Sequence, residues 1–407
     1  MGVWRSRFSI GSIGAISLVS LCLVLLLHAC QSAPSRQISV ADPTPAAVPT
    51  SPPASTPLPP ATQAIVATAG PNGLVQPPRG DVRLAVISDL NSAYGSVTYD
   101  PEVSQAIQLL PFWQPNLVLC SGDMVAGQDP RLSIAELKAM WAGFDKTVAA
   151  PLRQLQLPFG FTIGNHDASS ALSSGGKFLF QQERDIASDY WQDPAHAPGL
   201  KFVDRNEFPF YYSFESNDIF FLVWDGSSSQ ISAAKLAWVE RALASEAARS
   251  AKLRILIGHL PLYAVAVDRD QAGDVMDNAD QLRSLLEKYN VHTYISGHHH
   301  AYYPGYRGKL QLLHTGLLGS GARPLLSGSL APRKTLTIID VNFADPALTT
   351  YTTYDMQTLQ VIPINELPRT IVGHNGMVVR RDIPWNRLTP AEQTECVSQL
   401  GQARCQA

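Results

Sequence analysis

Charge is scarce in this chain. Only 16% of its 407 residues are charged, 31 Lys and Arg stand against 34 Asp and Glu, and the formal net charge is −3. No long run of either sign occurs, which excludes a broad nucleic-acid-binding surface and partners held by bulk electrostatics. Cysteine is limited to five residues, none of them in the ligand-like motifs described below, and this argues against a structural zinc site. Internal repeats are absent, so a repeat architecture is excluded. What the chain does have is apolar residues, at 45%. At this length they support a large buried core.

The two ends differ from the middle. Arg5 and Arg7 precede a long uncharged stretch ending LVLLLHAC at Cys30, the layout of an export signal with a basic start, an apolar middle and a small-residue exit. Leu27-His28-Ala29-Cys30 resembles the lipobox of bacterial lipoproteins, which implies a lipid on Cys30 and a membrane-anchored chain, although His28 is unusual at its position. The alternative is an uncleaved membrane helix, because the apolar stretch is nearly long enough to span. Either reading makes the protein exported, with the rest of the chain periplasmic or extracellular. Residues 31–80 contain twelve of the thirty prolines, and such a composition predicts a disordered tether. Residues 81–360 are expected to form one domain, and 361–407 a C-terminal extension. There Cys396 and Cys405 are expected to form a disulfide, as suits an exported chain. The preceding TPAE, residues 389–392, has a Thr cap, a Pro at the first helical position and a Glu three residues after the cap, which predicts a short helix. Cys22 belongs to the signal, and Cys120 is expected to be a small buried hydrophobe.

Within 81–360, short apolar runs at 84–88, 117–121, 158–163, 219–224, 253–258 and 293–296 read as strands. Between several of them, stretches such as SAAKLAWVERALASE and NADQLRSLLEKY repeat apolar residues at helical spacing. The layout is α/β. Polar residues cluster just after the strands: Asp89 and Asn91, Gly122-Asp123, Gly164-Asn165-His166-Asp167, Gly258-His259, and Gly297-His298-His299-His300. Sites of open α/β sheets gather at carboxyl strand ends, where loops bring side chains from several strands to one point. If the run before the three histidines continues as a strand, alternation lets His298 and His300 converge while His299 faces away. Asp, Asn and His together suit divalent ions such as Mn, Fe or Zn rather than an all-oxygen calcium cage.

This series of motifs resembles the calcineurin-like metallophosphoesterases, whose pattern runs D-x-H, G-D, G-N-H-[DE], G-H and G-H-x-H. The resemblance covers roughly 81–355 and implies an αββα sandwich, two mixed β-sheets packed together with helices outside. It also implies two divalent metal ions. Asp123 would bridge them, Asp89, Asn91 and His300 would complete the first shell, and Asn165, His259 and His298 the second. His166 would stand beside the leaving group, oriented by Asp167. The implied activity is hydrolysis of a phosphate monoester or diester, in which paired ions hold the phosphate and activate a water.

The chain departs from the family pattern at Asn91, where His is usual. An amide oxygen is a weaker donor than imidazole, so the first ion should bind less tightly or be a harder one such as Mn or Mg; a turn residue without a ligand role is the alternative. Ala126 occupies the position of the iron-binding tyrosine of purple acid phosphatases, which excludes a ferric-tyrosinate centre by that route. The loops at 92–96, 168–210 and 301–307, with Tyr263, are candidates to line a cleft. Arg269 and Arg323 are candidates to pair with a phosphate, with surface ion pairs or simple solvation the expected fate, and His292 and His314 are expected in strands. Two other classes fit the same residues: a surface-binding protein that kept the fold without turnover, and a metal hydrolase of a non-phosphate substrate. No motif selects the substrate.

Overall fold

The computed structural model describes residues 57–69 and 73–405, which fall within one compact unit. The export signal, Cys30 and most of the tether lie outside the described residues. Among the described residues no helix is long and apolar enough to cross a membrane.

The described residues form fifteen strands: β1 (Val82–Ile87), β2 (Leu117–Cys120), β3 (Phe159–Phe161), β4 (Lys201–Glu207), β5 (Tyr211–Ser216), β6 (Ile219–Val223), β7 (Leu253–Ile257), β8 (Thr293–Ser296), β9 (Tyr302–Arg307), β10 (Leu310–Thr315), β11 (Thr335–Val341), β12 (Thr350–Asp355), β13 (Gln360–Val361), β14 (Thr370–Gly373) and β15 (Gly376–Arg380). Six make one sheet in the order β13-β12-β11-β1-β2-β3, and nine make a second in the order β14-β15-β9-β10-β8-β7-β6-β5-β4. Both are mixed. β1, β2 and β3 run parallel while β11 joins β1 antiparallel; β6, β7, β8 and β10 run parallel with antiparallel strands at both flanks. This is the expected two-sheet, helix-flanked architecture.

The sheets pack on each other through one apolar core. The Phe161 N–H of β3 donates to the Tyr212 hydroxyl of β5 at 3.0 Å, and the Thr162 hydroxyl donates to the Trp224 carbonyl at 3.0 Å. Every residue of β1, β2, β6 and β8 is buried. Covered on both faces, such strands read as largely apolar runs, which is why the sequence marks them clearly. The helices follow local signals. Ser133 and Glu136 form a capping box at Ile134–Phe144, and Thr389 and Glu392 form another at Pro390–Leu400. Cys396 and Cys405 are disulfide-bonded, and Cys120 is free and buried.

Two expected boundaries need correction. The end of the tether is structured: Pro60–Thr68 is a helix, the Thr62 hydroxyl donates to the Gln108 carbonyl at 2.7 Å, and Ala69 and Leu74 are buried in the core. Proline at the start of that helix is compatible with it, so proline content alone misled. The C-terminal extension is part of the second sheet, because β15 pairs antiparallel with β9. Edge pairing uses backbone groups and leaves no compositional signature. The 301–307 stretch, read as a loop, is β9, and the 168–210 insertion supplies the helix Gln181–Gln192 and β4.

Candidate metal centre

Strand register places the motifs side by side. Ile87 of β1 pairs with Cys120 of β2, and Ile257 of β7 with Ile295 of β8. The following loops then bond together: Asp89 N–H to the Gly122 carbonyl at 3.0 Å, Leu90 N–H to the Asp123 carbonyl at 2.8 Å, and Gly297 N–H to the His259 carbonyl at 3.0 Å. Glycine is required where these loops touch, since a Cβ on Gly164 would collide with the Asp123 carboxylate and one on Gly297 with Ser88 and Asp89.

The chain turns sharply to aim the side chains. Asp89, Asp123, His298 and His300 take φ of 47°, 54°, 64° and 53°. Left-handed backbone at a non-glycine residue costs on the order of 1–3 kcal/mol and persists where surrounding structure enforces it, typically at functional sites. His298 and His300 therefore approach the site from consecutive tight turns after β8, not from the strand alternation expected. His299 is buried between them with its own partners, accepting from Val265 N–H and bonding to the Asp274 carbonyl.

Ligand atoms of Asp89, Asp123 and His259 lie within 4.8 Å of one another. Asn165 Oδ1 is 2.8 Å from His259 Nε2 and 2.9 Å from His298 Nδ1. Asp123 Oδ2 is 3.3 Å from His259 Nε2, and Asp89 Oδ1 is 3.3 Å from His300 Nε2. The far nitrogens of His259 and His300 are committed to backbone carbonyls, while that of His298 faces a carboxylate beyond hydrogen-bond distance. His259 Nδ1 is 2.8 Å from the Ser121 carbonyl, His300 Nδ1 is 3.0 Å from the Gly321 carbonyl, and His298 Nε2 is 3.7 Å from Asp274 Oδ1. In His259 and His300 the nitrogen on the carbonyl carries the proton, so the near nitrogen presents a lone pair to an oxygen that also presents lone pairs. A positive charge must sit between them, either a proton or a metal ion.

The titration behaviour agrees. Burial would lower His259, yet the charges of Asp123 and Asp89 push it up to about 9. Burial lowers His298 to about 4, keeping it a neutral donor. Against its own burial, Asp123 is held below the usual carboxylate range by His259 and His166. Asp123 Oδ2 is buried without a hydrogen bond. A buried carboxylate oxygen without a donor among imidazole lone pairs fits a divalent cation, and its ligand types are the borderline set. Asn91 is nearly buried, its N–H reaches the Asp123 carbonyl at 3.3 Å, and its side-chain amide has no hydrogen-bond partner among the described residues.

Asp167 requires correction. Its carboxylate accepts from the backbone N–H groups of Met124, Val125 and Gly164 at 2.6, 2.9 and 2.8 Å, and it does not touch the His166 ring. It ties the Asp123 loop to the Asn165 turn, and burial and the Asp123 charge push it up to about 7. His166 is instead oriented by the Gly127 carbonyl, 3.0 Å from Nδ1, which leaves Nε2 unpaired. Backbone carbonyls carry no sequence signal.

Two residues outside the motifs brace the ligands. Gln128 Oε1 accepts from Asn165 Nδ2 at 2.7 Å, which turns Asn165 Oδ1 toward the imidazoles. Asp274 faces His298 Nε2 and is paired with Arg269 at 3.1 Å; despite burial, His298 and Arg269 hold its carboxyl down at about 2. Gln128 follows its motif closely in sequence, but nothing there marks its direction, and Asp274 is far from any motif. Arg323 pairs with Asp268 at 3.4 Å, so both arginines are in ion pairs as expected. His314 lies in β10 between the carbonyls of Tyr303 and Tyr263, and Tyr263 is buried with its hydroxyl on Asp280.

A family model described as calcineurin-like phosphoesterase matches residues 82–302. Among solved structures, the chain is similar to a purple acid phosphatase from yellow lupin seeds, with 16% identity and a TM-score of 0.48 over 69% of this chain and 52% of that one. It is also similar to GAP50, the anchor in the inner membrane complex of Plasmodium, with 14% identity and a TM-score of 0.43 over 79% of this chain and 96% of that one. A putative 5'-nucleotidase from Staphylococcus aureus follows at 12% identity and a TM-score of 0.38, over 66% of this chain and 52% of that one. The chain thus spans about half the length of the lupin enzyme it matches. No curated protein matches it significantly.

Proposed function

The chain belongs to the calcineurin-like phosphoesterase family, and from that premise we propose that it hydrolyses a phosphate monoester or diester at a centre of two divalent ions. The observation that carries this reading is the buried, undonated Asp123 Oδ2 in a cluster where the near nitrogens of His259, His298 and His300 face Asp123, Asn165 and Asp89. Asp89, Asn91 and His300 would hold one ion, Asn165, His259 and His298 the other, and Asp123 both. Bound there, the ions supply Lewis acidity and charge neutralisation for an anionic phosphorus centre. His166, held through Nδ1 by the Gly127 carbonyl, keeps Nε2 available to carry a proton to the departing oxygen. Asp123 Oδ1 accepts the His166 N–H at 2.8 Å, which locks the histidine's backbone to the same carboxylate.

The basic start and apolar stretch before Cys30 further support an exported protein held at a membrane by lipid on Cys30. The test of the activity is hydrolysis of bis-aryl and mono-aryl phosphates by the full chain, stripped by chelator and reloaded with Mn²⁺, alongside metal counting. Two ions per chain, metal-restored turnover and its loss in Asp123→Asn are expected. Metal-independent turnover, or one bound ion, would overturn the two-ion reading.

A further inference from the structure

Tyr94 has no structural task that its surroundings explain. It is 61% exposed, in the loop that leads from β1 to the helix Pro101–Trp113. Its hydroxyl has no hydrogen-bond partner among the described residues. Its ring contact is with His166, at a centroid separation of 5.1 Å and an interplanar angle of 47°.

The backbone beneath it is fixed. Gly95 N–H donates to the Ala126 carbonyl at 2.8 Å, Ser96 N–H to the Ala93 carbonyl at 2.9 Å, and the Tyr99 hydroxyl to the Met124 carbonyl at 2.8 Å. Gly95 takes a φ of 77°, and the Leu132 side chain occupies the place of a Cβ there. Tyr94 is thereby anchored to the Asp123 loop itself, and its open ring flanks the imidazole whose Nε2 is unpaired. With the two ring centroids 5.1 Å apart, a leaving group whose oxygen lies at His166 Nε2 is within reach of this ring.

We propose that Tyr94 forms the leaving-group subsite, and that the substrate is a phosphoester whose leaving group presents an aromatic plane. Aromatic rings stack in offset or tilted arrangements at a few ångströms, and an amphipathic tyrosine on a rigid loop offers such a face with little ordering cost. An aliphatic or open-chain leaving group would gain only ordinary apolar contact from it, without the ring–ring increment. The inference deepens the phosphoesterase reading and rests on it. A ring bonded directly to the ester oxygen and a nucleobase one sugar away present the same chemistry, so the experiment includes both.

The full chain with Mn²⁺ is assayed on phenyl phosphate, adenosine monophosphate and cyclohexyl phosphate, in the wild type, Tyr94→Ala and Tyr94→Phe. Comparing each variant with the wild type on each substrate removes the intrinsic reactivity of the esters. Tyr94→Ala should lower kcat/KM about tenfold on the ring-bearing ester that fits, the size of one good aromatic contact, and change cyclohexyl phosphate less than about twofold. Tyr94→Phe should restore it. An effect on phenyl phosphate alone assigns the direct aryl ester, and one on the nucleotide alone assigns the nucleoside. Equal losses on all three esters would make Tyr94 a support for His166 and overturn the inference.

Calorimetric binding of phenylphosphonate, 5'-adenosyl phosphonate and cyclohexylphosphonate supplies a readout independent of turnover. Selective weakening of an aromatic phosphonate in Tyr94→Ala, without hydrolysis of any ester, would sustain the subsite and refute the hydrolytic reading. No selectivity in binding or in turnover would refute the subsite, whatever becomes of the activity.

Discussion

Replacing Gln128 by leucine removes the only acceptor among the described residues for the Asn165 amide N–H, at 2.7 Å. Without it, the amide can rotate by half a turn and present Nδ2 in place of Oδ1 to the imidazoles of His259 and His298. In the metal-free variant the rotated amide donates to an imidazole, whereas holding Oδ1 on the ion leaves the amide N–H unpaired, a difference of one hydrogen bond, about 1–1.5 kcal/mol. Since about 1.4 kcal/mol is a factor of ten, the affinity of the ion that uses Asn165 should fall about tenfold, at the lower end of the effect of residues that orient metal ligands. The other ion, on Asp89 and His300, should be little affected. Titration of the chelator-stripped chain with Mn²⁺ in a calorimeter resolves the two steps, and turnover at saturating Mn²⁺ should recover most of its wild-type value. Gln128→Glu keeps an acceptor at the same reach and should bind within about threefold of wild type. Unchanged affinity in Gln128→Leu, or an equal loss in Gln128→Glu, would refute the assignment of Gln128 as the residue that orients Asn165.

Asp167→Ala should destabilise the metal-free protein by about 3 kcal/mol or more in a urea melt, because three buried N–H groups lose their acceptor; full stability with turnover lost would instead favour a role in orienting His166. Asp274→Asn should weaken one Mn²⁺ site about tenfold by loosening His298, and an unchanged titration would exclude that role. Burial pushes the Glu183 carboxyl from 4.5 up to about 7, so the folded state binds the extra proton and stability falls as pH rises from 4.5 to 7, then stays level. That interval corresponds to about 3 kcal/mol at 1.36 kcal/mol for each pKa unit, and screening under the half-exposed Gln128–Asp129 turn reduces it to about 1–2 kcal/mol. Glu183→Gln should reduce the slope by this share in melts from pH 5 to 8, leaving that of Asp167 and His259, and a slope equal to that of wild type would exclude Glu183 as a contributor.

By itself the sequence determined the buried strands, because β1, β2, β6 and β8 are covered on both faces and are mostly apolar, with the one charge among them, Arg83, ion-paired to Asp340. It also determined the order of ligand types after those strands, and the capped helix with its disulfide at the C-terminal end. These are local signals, carried by the composition or spacing of neighbouring residues. Only the tertiary structure decided what depends on backbone groups and on distant partners. The pairing of β15 with β9 uses peptide hydrogen bonds that almost any sequence can make. The Gly127 carbonyl, and not Asp167, orients His166. The left-handed turns at His298 and His300 aim their rings, where strand alternation would have served as well on paper. Gln128 and Asp274 reach Asn165 and His298 across 37 and 24 positions of the chain. A residue type can be read at its own position, but the direction of its side chain is set by the packing of every element around it.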